Sequence, residues 1–239
     1  MWEVEGMAEP GILVFASGTK TGGGSGVKFL IGHSRTNPPG LEAKIKVIVS
    51  NHPEGGVARI AKSLGTPFLY WPGPFTAEGY QKIFKDSKAD FVMLSGWLEL
   101  VQGLETPKTI NIHPGPLPMF GGPKMYGHRV HEAVFEAYQK GRITQSAVTM
   151  HFVDEVYDRG PIFLRRLVPI FPGDNPETLA KNVNEIEHAW QFYALNLVIH
   201  QHIECLPDDK GWWRVHYKNT YLKKILMDRA GTNGLVDGD

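Results

Sequence analysis

An amide side chain and an imidazole stand two residues apart at the end of an apolar run, in the segment Asn111-Ile112-His113-Pro114. Because side chains of a strand alternate between its two faces, Asn111 and His113 should point to the same side. An amide donor can stabilise the negative charge that develops on an oxygen during acyl transfer, and an imidazole can also move a proton near neutral pH. A histidine at a strand end is more often a structural group, so this pair leaves both interpretations open.

A carboxylate that could complete the pair lies further along the chain, in the segment HFVDEVYDRGP. Asp158 shares this segment with Asp154 and Glu155, and a solvated acidic turn is the alternative interpretation. If Asp158 reaches His113, its charge should raise the pKa of the imidazole and keep it cationic. Activity should then fall as the pH rises past that pKa, while the acceptor amine must lose its proton, so we predict a bell-shaped pH profile. We therefore predict that Asn111, His113 and Asp158 form the active site of an enzyme that transfers a small acyl unit.

A glycine-rich segment, Gly18 to Gly26, follows the first apolar run and precedes a helical pattern. Backbone N–H groups near a helix N-terminus are suited to bind phosphate. The segment lacks the Gly-Lys-Ser/Thr ending of nucleoside-triphosphate loops and does not match the dinucleotide-binding fingerprint. Phosphate binding and a flexible turn therefore both remain open.

Other polar residues give weaker signals. His128 and His131, three residues apart, could bind a metal together with Asp158, but their spacing fits no standard zinc signature, so we expect no metal. Asn184 and Glu187 lie on one face of a predicted helix. An exposed polar stripe is the alternative interpretation for that pair.

The elements that position these residues are short apolar runs that alternate with segments of helical periodicity. Such alternation predicts a parallel sheet with crossover helices, in which ligands lie beyond the carboxyl ends of the strands. The glycine-rich segment and the Asn-x-His segment both fall at such ends. The expected strands are residues 11–17, 45–50, 66–71, 89–96 and 109–113.

The second half of the chain changes character. Two strand-like runs, QSAVTMHFVDEVYD and GPIFLRRLVPIF, are joined by a short Asp-Arg-Gly-Pro connection, which predicts a hairpin-like extension of the sheet. A long amphipathic helix follows, with Asn175 as its cap and Pro176 in its first turn. We therefore predict an α/β, Rossmann-like fold: a mostly parallel sheet with helices on both faces and a late antiparallel extension.

Length and composition bound the remaining possibilities. A chain of 239 residues that is 42% hydrophobic can bury one core, so we expect a single domain over residues 1–239, with flexible ends at 1–10 and about 222–239. The 25 lysines and arginines balance the 25 aspartates and glutamates, which disfavours a nucleic-acid or membrane partner. A single cysteine, Cys205, without a signal peptide or a long apolar run, predicts a cytoplasmic protein. The oligomeric state stays open.

Four separated motifs resemble the folate-dependent formyltransferases. NIHPGPLP followed by HFVDEVYDRGPI resembles the family's Asn-x-His with a later aspartate, and SG followed by GGGSG resembles its phosphate loop. LSGWLELV resembles its folate-pocket strand, and VPIFPGDNPETLAKNVNEIEHAWQ resembles its closing helix. The motifs occur in the family's order over roughly residues 11–203. Within the family, the likeness is to the branch that formylates glycinamide ribonucleotide in purine biosynthesis.

The resemblance implies small-molecule substrates, 10-formyltetrahydrofolate as formyl donor and glycinamide ribonucleotide as acceptor, and no metal. Asn111 and His113 would bind the formyl oxygen, and Asp158 would pair with His113 and order a water for proton transfer. The implied acceptor-binding residues are Gly24, Ser25, Gly26, Asn184 and Glu187. The implied folate-binding residues are Leu98, Glu99, Leu100, Val101, Asn111, Val153 and Asp154.

The sequence departs from the family pattern at both substrate ends. The glycine loop is longer than usual, Glu99 and Ala77 stand at or near positions that commonly hold arginine, and GGPKMYGHRV replaces a shorter segment. A formyltransferase that acts on a nucleotide amino sugar is the main alternative. The related methionyl-tRNA and hydrolytic enzymes carry further domains for which 239 residues leave no room. A non-catalytic module that binds a phosphate ligand is a remote alternative.

Overall fold

The computed structural model describes residues 9–36 and 40–228, and its centre is a seven-stranded sheet. The strands are β1 (Gly11–Phe15), β2 (Lys44–Ser50), β3 (Phe68–Tyr70), β4 (Phe91–Ser95), β5 (Thr109–His113), β6 (Gln145–Phe152) and β7 (Ile162–Pro169). They lie in the order β3-β2-β1-β4-β5-β6-β7. The first five strands are parallel to one another, whereas β6 is antiparallel to both β5 and β7. The predicted α/β, Rossmann-like fold with a late antiparallel extension is confirmed.

Six α-helices and a small second sheet complete the described part of the chain. The helices are α1 (Ser25–His33), α2 (Gly56–Ser63), α3 (Ala77–Ser87), α4 (His128–Gln139), α5 (Pro176–Ile199) and α6 (Thr220–Leu226). The second sheet pairs β8 (Ile203–Pro207) with β9 (Trp213–Tyr217) in antiparallel fashion. No helix among the described residues is long and apolar enough to cross a membrane.

The central sheet buries side chains on both faces, as strand β1 illustrates. Ile12 and Val14 belong to a core that also contains buried residues of α1, α2, α4 and α5. Leu13 and Phe15 belong to a second core with Tyr80 of α3, whose ring centre lies 5.4 Å from that of Phe15. Because helices cover both faces, β1 is apolar throughout instead of alternating with polar residues.

The long helix α5 begins where the sequence predicts. The Asn175 side chain accepts a hydrogen bond from Thr178 N, and the Thr178 hydroxyl accepts one from Asn175 N, which completes a capping box. Pro176 occupies the first turn, where the helix needs no N–H group. Leu179 and Val183 are fully buried and anchor one side of the helix to the core.

The connection between β6 and β7 differs from the predicted short turn. Strand β6 ends at Phe152, and residues 153–161 form a longer loop. The segment VDEVYD has the apolar spacing of a strand, but the Asp154 side chain accepts a hydrogen bond from Val156 N at 2.9 Å. This local turn bends the backbone and ends the strand pairing. The loop carries Asp158, and its length lets that residue fold back over the end of β5.

The C-terminal part is more ordered than the sequence predicts. A flexible end is expected from about residue 222, but α6 continues to Leu226, whose side chain is buried. Asp228 then forms an ion pair with Arg166 of β7 at 2.9 Å. Covering the edge strand β7 in this way protects its unpaired backbone groups, and this order comes from tertiary contacts. The other predicted flexible residues, 1–8 and 229–239, lie outside the described residues.

Candidate active site

A cavity of about 810 Å³ opens at the carboxyl ends of the parallel strands, where ligands of such sheets usually bind. Its walls come from the glycine-rich loop after β1, the loop after β4, the end of β5, the segment before α4, and one side of α5. The predicted catalytic and acceptor-binding residues all line it: Asn111, His113, Asp158, Gly24, Ser25, Gly26, Asn184 and Glu187.

Asn111 is held in place by a histidine of the neighbouring strand. The antiparallel register of β5 and β6 places His151 directly opposite Asn111. Asn111 Nδ2 donates to His151 Nε2 at 3.0 Å, while His151 Nδ1 donates to Phe152 O at 2.9 Å. The other amide hydrogen points to Asp158 Oδ1 at 3.4 Å, which is long for a hydrogen bond. The carboxamide is therefore oriented by one firm bond and keeps one weakly bound N–H group.

His113 is buried, and both ring nitrogens face polar atoms. Nε2 donates to Phe120 O at 2.7 Å, and Nδ1 lies 3.7 Å from Asp158 Oδ1. Burial lowers the pKa of His113 below its ordinary value, and the carboxylate of Asp158 only partly opposes that effect. Burial thus works against the predicted cationic imidazole, because removing an imidazolium from water costs more than a carboxylate at this distance returns. The hydrogen bond to Phe120 O places a proton on Nε2.

Asp158 approaches these groups from the loop between β6 and β7. Its backbone φ is 53°, in the left-handed region that aspartate tolerates better than most residues. Gly122 N donates to its Oδ2 at 2.9 Å, and His151 Nε2 lies 3.6 Å from its Oδ1. Burial opposes ionisation, but hydrogen bonds and the two nearby imidazoles outweigh it, so the pKa of Asp158 is lowered. An ionised carboxylate thus faces both Asn111 and His113.

The glycine-rich loop and helix α5 form another wall of the cavity. Gly24, with φ of 89°, precedes α1, which has no capping side chain and no acidic residue in its first turn. The first N–H groups of α1 are therefore available to an anion. Ser25 Oγ donates to Asn184 Oδ1 at 3.4 Å, and Asn184 Nδ2 donates to Glu187 Oε2 at 3.3 Å. These contacts join the loop to the helix and bring the predicted acceptor-binding residues together.

Glu187 has an altered acidity. Burial in the cavity wall raises its pKa to about 7, and the hydrogen bond from Asn184 only partly opposes that effect. A carboxyl group that changes charge near neutral pH within a cavity is a candidate ligand-binding group.

The residues predicted to bind folate are only partly assembled around the cavity. Leu98 lines it, whereas five others lie outside its lining: Glu99, Leu100, Val101, Val153 and Asp154. Glu99 accepts a hydrogen bond from Asn51 at 3.1 Å, and Asp154 forms an ion pair with Arg159 at 2.9 Å. The loop after β4 turns successive side chains in different directions, so a contiguous stretch of sequence does not form a contiguous wall.

Several residues in or behind the cavity wall are not predicted by the sequence. No sequence pattern singles out His151, which lies behind Asn111 and outside the cavity lining, because its contact with Asn111 depends on the register between β5 and β6. The unpredicted residues that line the cavity are Lys124, Tyr126, Arg129 and Gln191.

Within the part of the chain that the structure describes, no three His, Cys, Asp or Glu side chains are grouped to hold a metal ion.

The formyl transferase family model matches residues 12–195 of the chain. The chloroplastic phosphoribosylglycinamide formyltransferase of Vigna unguiculata is 33% identical over 205 residues, which cover 81% of this chain and 61% of the relative. The protein of the same name in Arabidopsis thaliana is 33% identical over 201 residues, covering 79% and 66%. The chain thus spans less than two thirds of these relatives. Because both are named chloroplastic, the cytoplasmic location of this chain stays a prediction.

Comparison with solved structures also finds similarity to a phosphoribosylglycinamide formyltransferase. The phosphoribosylglycinamide formyltransferase from Anaplasma phagocytophilum has a TM-score of 0.69 and 25% identity, and the match covers 89% of this chain and 96% of that one. The region that the family model matches contains the central sheet, apart from Gly11, and the cavity that it supports. On this basis the chain belongs to the formyl transferase family.

Proposed function

We propose that the protein transfers the formyl group of 10-formyltetrahydrofolate to the amine of glycinamide ribonucleotide. The observation that carries this proposal is that one cavity contains two complementary sets of groups. Asn111, His113 and Asp158 suit acyl transfer, whereas the N-terminus of α1 with Glu187 suits a phosphorylated ligand that bears hydroxyl groups. The plant relatives carry the name of this activity, and the family supplies the reaction class.

Asn111 stabilises the oxygen on which charge develops. When the amine attacks the formyl carbon, the formyl oxygen becomes negative. The long 3.4 Å contact to Asp158 leaves one Asn111 N–H group available to that oxygen, while the 3.0 Å bond to His151 keeps the carboxamide in place. His151 is thus a positioning residue for the oxyanion donor.

The His113–Asp158 pair receives the proton that the attacking amine loses. His113 carries its proton on Nε2, so Nδ1 holds a lone pair 3.7 Å from Asp158 Oδ1. A proton that reaches Nδ1, directly or through a water, creates an imidazolium beside the ionised carboxylate. Opposite charge stabilises that state, as in other carboxylate–histidine pairs. When the tetrahedral intermediate collapses, the bond between the formyl carbon and the folate nitrogen breaks, and the imidazolium returns its proton to that departing nitrogen. The reaction needs no covalent bond between substrate and protein.

The acceptor is bound along the wall formed by α1 and α5. Its phosphate lies at the N–H groups of residues 24–26, with Ser25 held by Asn184. Glu187, when ionised, accepts hydrogen bonds from the ribose hydroxyls, and Asn184 fixes its orientation. We assign the folate to the part of the cavity that Leu98 lines.

A formyl-transfer assay with the purified protein tests the proposal. We expect formylated product from 10-formyltetrahydrofolate and glycinamide ribonucleotide, and little from nucleotide amino sugars. A preference for an amino sugar would contradict the acceptor, and formate release without any amine would indicate a hydrolase. Binding of both ligands without turnover, by the wild type and by His113→Ala alike, would indicate a non-catalytic module.

Glu187 gives the reaction an expected pH dependence. Because burial raises its pKa to about 7, the group is neutral below that pH and becomes the stronger hydrogen-bond acceptor above it. We therefore expect kcat/KM for the acceptor to rise between about pH 6 and pH 8. The lowered pKa of His113 removes the descending limb that a cationic imidazole would impose, so the rise should be followed by a plateau.

The variant Glu187→Gln is the control for this profile, because its amide cannot titrate. We expect the rise to become smaller in this variant, with only the part that comes from deprotonation of the acceptor amine remaining, and KM for the acceptor to increase above about pH 7. A rise that persists unchanged would assign the titration to another group. A loss of wild-type activity above neutral pH would instead restore the cationic role of His113.

A further inference from the structure

The first turn of α4 faces the cavity with its backbone donors exposed. Its N-cap, Gly127, has no side chain to accept a hydrogen bond, and no acidic residue lies in the first turn. His128 and Arg129, the first two residues of the helix, line the cavity. Unsatisfied N–H groups at a helix N-terminus attract anions. Such ends are common, so the side chains around this one decide whether it binds a ligand.

His131, one turn further along α4, points a buried imidazole into the same cavity. The residue is 6% exposed, and its Nδ1 has no hydrogen-bond partner in the described part of the chain. Burial is the main cause that lowers the pKa of His131 to about 4, so the ring is neutral near pH 7. Because Nδ1 is buried away from any acceptor, the single proton belongs on Nε2. His131 therefore presents a neutral N–H donor that a ligand can satisfy.

Two cationic side chains stand on the same wall. Lys124 and Arg129 line the cavity and are exposed, and neither forms an ion pair with a carboxylate of the described residues. The Arg129 guanidinium lies over the Tyr126 ring, 5.4 Å from its centre, which leaves its N–H groups available. His128, in contrast, lies 3.4 Å from a Glu177 oxygen. Lys124 and Arg129 thus supply positive charge that no protein carboxylate neutralises in this region.

The glycine-rich loop, in another part of the lining, contributes no charge to the cavity. Its cavity-lining residues are all uncharged: Gly18, Thr19, Gly23, Gly24, Ser25 and Gly26. The one charged residue of the loop, Lys20, is not part of the lining, so the lining residues can donate backbone hydrogen bonds to a phosphate but do not neutralise its charge. Charge-assisted hydrogen bonds are stronger than neutral ones, so a phosphate in the cavity is bound best where the wall of α4 also reaches it.

We propose that Lys124, Arg129 and His131, with the first turn of α4, form a second anion-binding wall that holds the phosphate of the acceptor together with the glycine-rich loop. This inference rests on the proposed function, because it assigns residues to the phosphorylated substrate. Two cations and one neutral donor match a phosphate monoester, which carries charge and several acceptor oxygens.

Substitution of the two cations tests this wall. We expect KM for glycinamide ribonucleotide to rise about tenfold in Lys124→Gln and in Arg129→Gln, since each loses one charge-assisted bond. KM for 10-formyltetrahydrofolate should stay nearly constant. Lys62→Gln and Arg142→Gln are matched controls, because both side chains are exposed and neither lines the cavity.

Two variants of His131 separate binding from folding. Glutamine places an amide N–H group near the position of Nε2 and should retain most of the affinity for the acceptor. Leucine removes the donor and should raise KM for the acceptor severalfold, while thermal unfolding shows that both variants fold. Equal KM values in His131→Gln and His131→Leu would overturn the role of this donor.

Titration of inorganic phosphate into the protein, followed by calorimetry, separates the inference from the proposed function because it needs no turnover. We expect phosphate to bind about tenfold more weakly to Lys124→Gln and Arg129→Gln than to the controls. If glycinamide ribonucleotide is formylated but the variants match the controls, the second wall is wrong and the function stands. If no phosphorylated amine is formylated but phosphate binding weakens, the function is wrong and the wall stands. An effect confined to KM for the folate would overturn the wall in favour of a carboxylate site.

Discussion

In Asp158→Asn, kcat for formyl transfer is expected to fall by about 10³-fold or more, at the upper end of what one acid–base group contributes. Asparagine has the same shape and can still accept the hydrogen bond from Gly122 N, so the loop should keep its position. It carries no charge, however, and cannot stabilise an imidazolium at His113 Nδ1, 3.7 Å away. The effect should appear in kcat more than in KM, since that ion pair forms only as the reaction proceeds.

Steady-state kinetics with both substrates saturating measure this loss, and Asp86→Asn is the matched control. Asp86 is an exposed carboxylate of α3 that pairs with Lys82 away from the cavity. Its substitution should leave kcat unchanged. A loss below about tenfold in Asp158→Asn would remove the carboxylate from the proton path, because even a modest acid–base role is worth more than that. Parallel loss of thermal stability and activity would point to a structural role.

The parts of the site that could be predicted are those fixed by local geometry. Asn111 and His113 share a face because a strand alternates, and Asn175 caps α5 through residues three positions away. The direction of the pKa shift of His113 could not be predicted, because it depends on burial and on a 3.7 Å separation from Asp158. Distances of this kind arise from the packing of distant loops, which sequence spacing does not encode.

The difference between local sequence patterns and tertiary contacts also explains why some elements were not predicted. The central strands are continuous apolar runs, whereas β9 reads WRVHY and has mostly exposed side chains. Its place is fixed by tertiary contacts, such as the hydrogen bond from the Tyr217 hydroxyl to Phe163 O at 2.8 Å. The predicted folate-binding residues are dispersed for a related reason: Leu98 and its neighbours are adjacent in sequence, but the turn after β4 directs them to different surroundings.

In Asn111→Ala, kcat is expected to fall by about 10²–10³-fold, the usual effect of removing one oxyanion donor. Alanine cannot donate to the formyl oxygen, and it leaves His151 Nε2 without its 3.0 Å partner. Asn219→Ala is a matched control, because that amide caps α6 far from the cavity and should affect stability but not kcat. An unchanged kcat in Asn111→Ala would remove this residue from the oxyanion site.

The double variant Asn111→Ala, Asp158→Asn shows whether the two groups act together. Their side chains are in contact at 3.4 Å. Both are assigned to one step, in which the amine attacks the formyl carbon, negative charge develops on the formyl oxygen and the amine loses a proton. Groups that serve one transition state give losses that do not multiply, so the double variant should lose much less than the product of the single losses. Fully multiplicative losses would mean that the amide and the carboxylate act on separate steps, and the proton path would then have to be moved away from Asp158.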